Sequence, residues 1–251
     1  MEFIRTEDRA SVALVQLNRD VTNPIDLQLI QQLTETLRGK KDDSKVRSVV
    51  LCSSNNKFFS IGFNIPRLFE LTPKEFQEFY QAFNHTCIEL YTFPKPTVAA
   101  VTGHAIAGGC LLALCCDYRI IARGRKLMGL NEAKLGVPVP YPGDRILRDL
   151  VGARYAREIS EFGEFYRAED SVRMGMVDRV VPVADVIPKS IEKAKTIGEL
   201  PHRAFQIIKS NRVEPVETQI QKHLKEKEQL FVDCWFSDET RQKLKDAMET
   251  F

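Results

Sequence analysis

Short β-branched segments alternate along the chain with longer stretches of helical periodicity, and this alternation narrows the fold more than any other feature. "VALVQLN", residues 12–18, alternates apolar with polar or small side chains and reads as a strand. In the next segment, "IDLQLIQQLTETLRG", Leu29, Ile30, Leu33 and Leu37 recur at helical spacing, with Asp26 as cap and Gly39 as stop. "VRSVVLCSS" returns to strand. Pro73 to Tyr91 reads as a helix with Phe76, Phe79, Phe83, Cys87 and Leu90 on one face, and "PKP" ends it before the strand "TVAAVTG". "CDYRIIA" and "VDRVVPV" continue the series. Strands separated by helices favour parallel pairing through crossover connections over a sandwich, so the fold class is α/β. After about residue 188 the chain turns helical, through "KSIEKAKTIGELP", "HRAFQIIKSNR" and a charged amphipathic segment from Val216 to Phe251. The last carries Leu224, Phe231, Trp235, Leu244 and Met248, a stripe that its own core or a partner subunit must cover.

A chain of 251 residues with 43% hydrophobic side chains can bury a large core without staples. Its 36 basic and 34 acidic side chains nearly cancel, so no electrostatic case exists for nucleic acid or an acidic membrane as the main partner. The six cysteines lie mostly in apolar runs with no C-x-x-C pair, and the four histidines show no ligand spacing, which argues for free thiols and against a metal site. The start, "MEFIRTEDRASVALVQL", is charged early and lacks an apolar signal core, and is read as mature cytoplasmic sequence. The longest apolar run, Ala105 to Cys116, falls short of the roughly 20 residues a membrane crossing takes.

Two glycine-containing turns follow strand-like segments: "KFFSIGFNI", residues 57–65, and "VTGHAIAGGCLLAL", residues 101–114. In the second, Gly108 and Gly109 stand where a loop gives way to a helix, whose first N–H groups lack internal partners and whose dipole favours negative charge. If the N–H groups of Phe63 and Gly108 converged, they would form a two-donor oxyanion hole. Taken alone, a glycine pair before a helix is more often packing or turn chemistry. Glu132, in "GLNEAKLG", reads alone as a solvated residue or a cap. Buried between Leu130 and Leu135, its carboxyl would be raised by desolvation toward the range of a general base at neutral pH.

Together, "GHAIAGGCLLALCCDYRIIA", "GLNEAKLGVPVP" and the upstream "KFFSIGFNI" closely resemble the crotonase (enoyl-CoA hydratase/isomerase) superfamily. The resemblance covers nearly the whole chain and is most specific across residues 98–140. It implies a spiral of ββα units over residues 1–188 and a C-terminal helical trimerisation region over 189–251, assembled as a homotrimer or hexamer. It also implies an acyl-CoA substrate and no separate cofactor, coenzyme A being part of the substrate. By motif match the oxyanion donors fall on Phe63 and Gly108, and the substrate-binding set is Ser60, Ile61, Gly62, Asn64, Ile65, Leu111 and Asn131. Lys209, Arg241 and Lys245 are candidates for the CoA phosphates, although both helices are basic anyway and a solvated basic face is the stronger reading.

The departure at position 111 carries the most information. Hydratases of the superfamily usually place one glutamate three residues after the oxyanion glycine and a second about twenty residues later; here the first is Leu111 and only Glu132 remains. Moving a double bond from C3–C4 to C2–C3 needs one base, an oxyanion hole and the return of one proton, which a single carboxyl supplies. The pattern is most similar to the mitochondrial-type Δ3,Δ2-enoyl-CoA isomerase branch, with Glu132 as the proton shuttle. Rival readings are a decarboxylase, thioesterase or hydratase of the same superfamily, or a catalytically weak CoA-binding module. In the first turn, Ile61 and Asn64 replace the usual alanine and aspartate. Tyr141 and Asp144 stand where hydratases carry a glycine run, and are left outside the catalytic set.

Overall fold

The computed structural model describes residues 2–249. Its first half comprises β1 (Ile4–Arg9), β2 (Val12–Leu17), β3 (Pro24–Ile25), α1 (Leu27–Asp42), β4 (Ser48–Ser53), β5 (Phe58–Ser60), β6 (Gly62–Phe63), α2 (Ile65–Phe69) and α3 (Pro73–Tyr91). Next come β7 (Thr97–Val101), β8 (His104–Ile106), α4 (Gly108–Leu114), β9 (Tyr118–Ala122), β10 (Leu127–Gly129), a 3-10 turn (Glu132–Leu135) and α5 (Tyr141–Phe162). The chain closes with β11 (Phe165–Arg167), α6 (Ala168–Arg173), β12 (Arg179–Val181), α7 (Val183–Gly198), α8 (His202–Trp235) and α9 (Asp238–Glu249).

The α/β alternation builds a sheet in the order β1-β2-β4-β7-β9-β12, parallel except for the β1–β2 hairpin. One face is covered by α7, whose Val186 and Ala194 pack with Val12, Leu14, Val50 and Val98. The other meets α1 and α3 through Leu29, Leu33, Phe79 and Phe83, the residues whose helical spacing marks these segments. A second sheet, β11-β10-β8-β5, lies beyond α4; its β10, β8 and β5 run parallel. Asp26 caps α1 by accepting from Leu29 N, and Thr72 with Glu75 forms a capping box on α3.

Several expectations need correction. Gly39 does not stop α1, which runs on to Asp42, because a solvent-facing glycine weakens a helix without ending it. The edge strand β1 escapes sequence reading because only Ile4 of its residues is buried, which leaves no alternation. A division at 188/189 falls inside α7, a helix packed on the main sheet. The segments "HRAFQIIKSNR" and Val216 to Phe251 are not separate helices meeting at residue 216; α8 joins them through Pro215, and the break comes at Phe236–Ser237, where Ser237 Oγ accepts from Thr240 N. Among the described residues no helix is long and apolar enough to cross a membrane.

The approach of α4 to β5 fixes the second glycine of the pair. A β-carbon on Gly109 would lie 2.5 Å from the Ser60 carbonyl oxygen and 2.6 Å from Ser60 Cβ, whereas one on Gly39 meets nothing within 4 Å. Gly109→Ala should therefore destabilise the protein by about 1–3 kcal/mol or more through overpacking. Gly39→Ala should stabilise it by about 0.5–1 kcal/mol through helix propensity. Urea unfolding of the two variants checks the opposite signs.

Candidate active site

Three neighbouring parallel strands deliver the candidate residues to one edge. Register pairs Ser60 of β5 with Ala105 of β8, and Ile106 of β8 with Gly129 of β10, so the strands end side by side. Just past these ends come Phe63, Gly108 and Glu132 in turn, the placement that parallel α/β sheets give to ligand sites.

The two oxyanion candidates come together. A β-carbon on Gly62 would lie 3.0 Å from Gly108 N, so the two backbones touch where only glycine fits, and Gly62 also holds φ +92. Asn64 N–H is used on Ile25 O at 2.8 Å; because N–H groups alternate along a strand, that of Phe63 faces the opposite edge, toward α4. Gly108 is the first residue of α4, and its N–H has no intrahelical acceptor. Ahead of it, Ala107 adopts φ 49 and ψ −124, a strained conformation for an alanine, held by its N–H on Gly129 O at 2.9 Å. The Phe63 ring seats the strand, lying edge-on to Phe79 and Phe83 with both centroids 4.9 Å away.

Glu132 opens the 3-10 turn and is 6% exposed. Burial lifts its carboxyl from the ordinary range to about 7, and the backbone N–H groups of Glu132 and Asn131 pull the other way. Among the described residues its Oε2 has no hydrogen-bond partner, so the carboxyl is held by its own turn and by packing. Such a group, ionised near neutrality and unshielded by a cation, has the properties of a base.

A cavity of about 670 Å³ joins these groups. Of the predicted set, Ile61, Phe63, Asn64, Ile65, Gly108, Asn131 and Glu132 line it; Ser60, Gly62 and Leu111 do not. Ser60 is fully buried and builds the turn, its Oγ donating to Asn23 O at 2.8 Å and accepting from Gly62 N at 3.1 Å. Asn64 caps α2 by accepting from Arg67 N, so the turn keeps its shape without the aspartate. Leu111 is fully buried against Gly143, where a β-carbon would lie 2.5 Å from Leu111 Cδ2. Glu132 is the one carboxylate among the described lining residues.

Neither Tyr141 nor Asp144 reaches the cavity; the first lies on His223 and the second pairs with Arg148. Lys209 is 3% exposed and pairs with Asp117 at 2.7 Å, which corrects both its assignment to CoA phosphates and its place on a solvated face. Arg241 donates to Phe69 O at 2.9 Å. Sequence reasoning missed much of the wall: Phe58, His104, Leu127 and Phe165 from one face of the second sheet, and Phe231, Trp235, Ala247 and Met248 from the C-terminal helices. Helical spacing flagged Phe231, Trp235 and Met248 as an apolar stripe but not which neighbour they meet.

The family model for enoyl-CoA hydratase/isomerase matches residues 7–251. The chain is 30% identical over 209 residues to mouse mitochondrial enoyl-CoA delta isomerase 1, covering 83% of this chain and 72% of the relative. It is 28% identical over 246 residues to the short-chain-enoyl-CoA hydratase of Clostridium acetobutylicum, covering 98% of this chain and 92% of that one. The crystal structure of human mitochondrial delta3-delta2-enoyl-CoA isomerase superposes with a TM-score of 0.95 at 26% identity, over 99% of this chain and 98% of that one. With its glycine turns and buried glutamate on the matching motifs, the chain belongs to the enoyl-CoA hydratase/isomerase family and has the crotonase fold.

Proposed function

We propose that the protein shifts the double bond of a 3-enoyl-CoA to the 2-position, using Glu132 as the only proton carrier and no cofactor beyond the coenzyme A of the substrate. The observation that carries this reading is that Glu132 is the lone carboxylate among the described residues lining the cavity. The position that would hold a second one in a hydratase is Leu111, packed against Gly143. Ionised Glu132 takes a proton from C2. The electron pair moves into the thioester, and the N–H groups of Phe63 and Gly108 hold the oxygen of the resulting dienolate. Glu132 then returns the proton at C4, leaving the C2–C3 double bond conjugated with the thioester and the carboxylate restored. Hydration would in addition require a group to activate water, which leucine cannot do. A homotrimer or hexamer acting in the cytoplasm completes the proposal.

With a 3-enoyl-CoA the wild type should generate conjugated enoyl thioester, read by absorbance, and should leave a 2-enoyl-CoA largely unhydrated. Glu132→Gln should lower kcat about 10²–10⁴-fold, the usual size of general acid–base catalysis. Because the base works ionised, kcat/KM should rise with pH through about 7 and level off above it.

The same burial costs stability. A carboxyl at about 7 in the folded protein and 4.5 unfolded binds more protons when folded, so its favourable contribution is complete below pH 4.5 and is lost as pH rises to about 7. Relative to wild type, Glu132→Gln should gain about 3 kcal/mol across that window, at 1.36 kcal/mol per unit. Urea unfolding at pH 4.5 and pH 8 measures the change; equal differences at the two pH values would contradict it.

A further inference from the structure

Helix α9 spans the two halves of the site. At its first turn Thr240, 1% exposed, donates its hydroxyl to Gly136 O at 2.8 Å. Gly136 is the left-handed cap, φ 81, of the 3-10 turn that begins at Glu132, and a β-carbon there would lie 2.7 Å from Thr240 Oγ1. One residue on, Arg241 donates to Phe69 O at 2.9 Å and lays its guanidinium 3.2 Å over the Phe69 ring. Phe69 ends α2, the helix that Asn64 caps directly after Phe63. Further along, Ala247 and Met248 complete the cavity wall.

Among the described residues no hydrogen bond reaches Glu132 Oε2, so the position of its carboxyl follows the position of the turn. Within the turn, Val137 N–H closes back on Glu132 O at 3.1 Å, and the bond from Thr240 ties the intervening cap to another element. We infer that Thr240 is a positioning residue: its hydroxyl locks the turn that carries Glu132 to α9, and Arg241 ties the same helix to the segment behind the Phe63 donor, so that α9 sets the spacing between base and oxyanion hole. This rests on the reading of Glu132 as the base. Misplacing a catalytic group by about 1 Å costs on the order of 10²-fold in rate without requiring a loss of binding.

Thr240→Val removes the hydroxyl and keeps the shape; Thr240→Ser keeps the hydroxyl. The Val variant should lose about tenfold or more in kcat on a 3-enoyl-CoA with KM within about twofold, and Ser should restore most of it. Amide hydrogen exchange, followed by mass spectrometry on the substrate-free proteins, should speed up in Val over residues 131–137 and stay unchanged over residues 104–114. Faster exchange throughout would mean that Thr240 serves stability alone, and would overturn the inference. So would unchanged exchange over 131–137, or faster exchange there with kcat intact. If the wild type is inactive on 3-enoyl-CoAs, the isomerase reading fails, and the exchange comparison alone decides whether Thr240 locks the turn.

Discussion

Everything in the site depends on three parallel strands ending side by side with nothing larger than hydrogen between their connecting turns. The ends of β5, β8 and β10 put Phe63, Gly108 and Glu132 on one edge in strand order. That edge closes only because Gly62 lets its backbone meet Gly108 N and Gly109 lets α4 settle on Ser60. These contacts are with backbone atoms and with the β-carbons of Ala107 and Ser60, so a methyl group at either glycine has no flexible side-chain end to push aside. These glycines set the packing of the turns, and the close approach of Gly62 to Gly108 N is what the proposed oxyanion hole draws on.

Around this rigid edge the protein places a carboxyl where solvent cannot stabilise its charge. Phe63 stands in a cage of Phe79 and Phe83, and Phe76 stacks on Trp235 at 4.3 Å, so an aromatic wall from α3 and α8 backs the cavity. In the proposed reaction, the burial that raises Glu132 would also strengthen a hydrogen bond from the N–H groups of Phe63 and Gly108, since both effects follow from low local dielectric. The buried Glu132 carboxyl reduces stability at neutral pH, and the proposed reaction depends on that same group, a tension common at catalytic sites.

Much of this was legible in the sequence, for physical reasons. Helices α1 and α3 announce themselves because each buries one face on the main sheet, and Asp26 marks the start of the first. The main strands are short and β-branched because they are buried between helical layers. The strand β1 and the short strands of the second sheet carry no such periodicity; they are three to six residues long, and tertiary pairing alone defines them. The glycine turns and Glu132 were visible as motifs, and Leu111 could be identified as a departure. Its burial against Gly143, outside the cavity, could not. Lys209 misled because a basic helix gives no sign of which lysine turns inward to meet Asp117. The far wall of the cavity was hidden for the same reason: Phe58, Phe165 and Trp235 lie far apart in sequence and meet only through the fold.

In the proposed reaction one carboxyl both removes and returns the proton, a double role specific enough to trace. It is tested most directly by converting a 3-enoyl-CoA carrying two deuterium atoms at C2, in ordinary water, and locating the label in the product by NMR. Because Glu132 is 6% exposed, the deuterium it takes should exchange slowly with solvent, and a measurable fraction should appear at C4 of the 2-enoyl product. A product whose C4 carries only solvent hydrogen, or one in which water has added across the double bond, would contradict the single-carboxyl account.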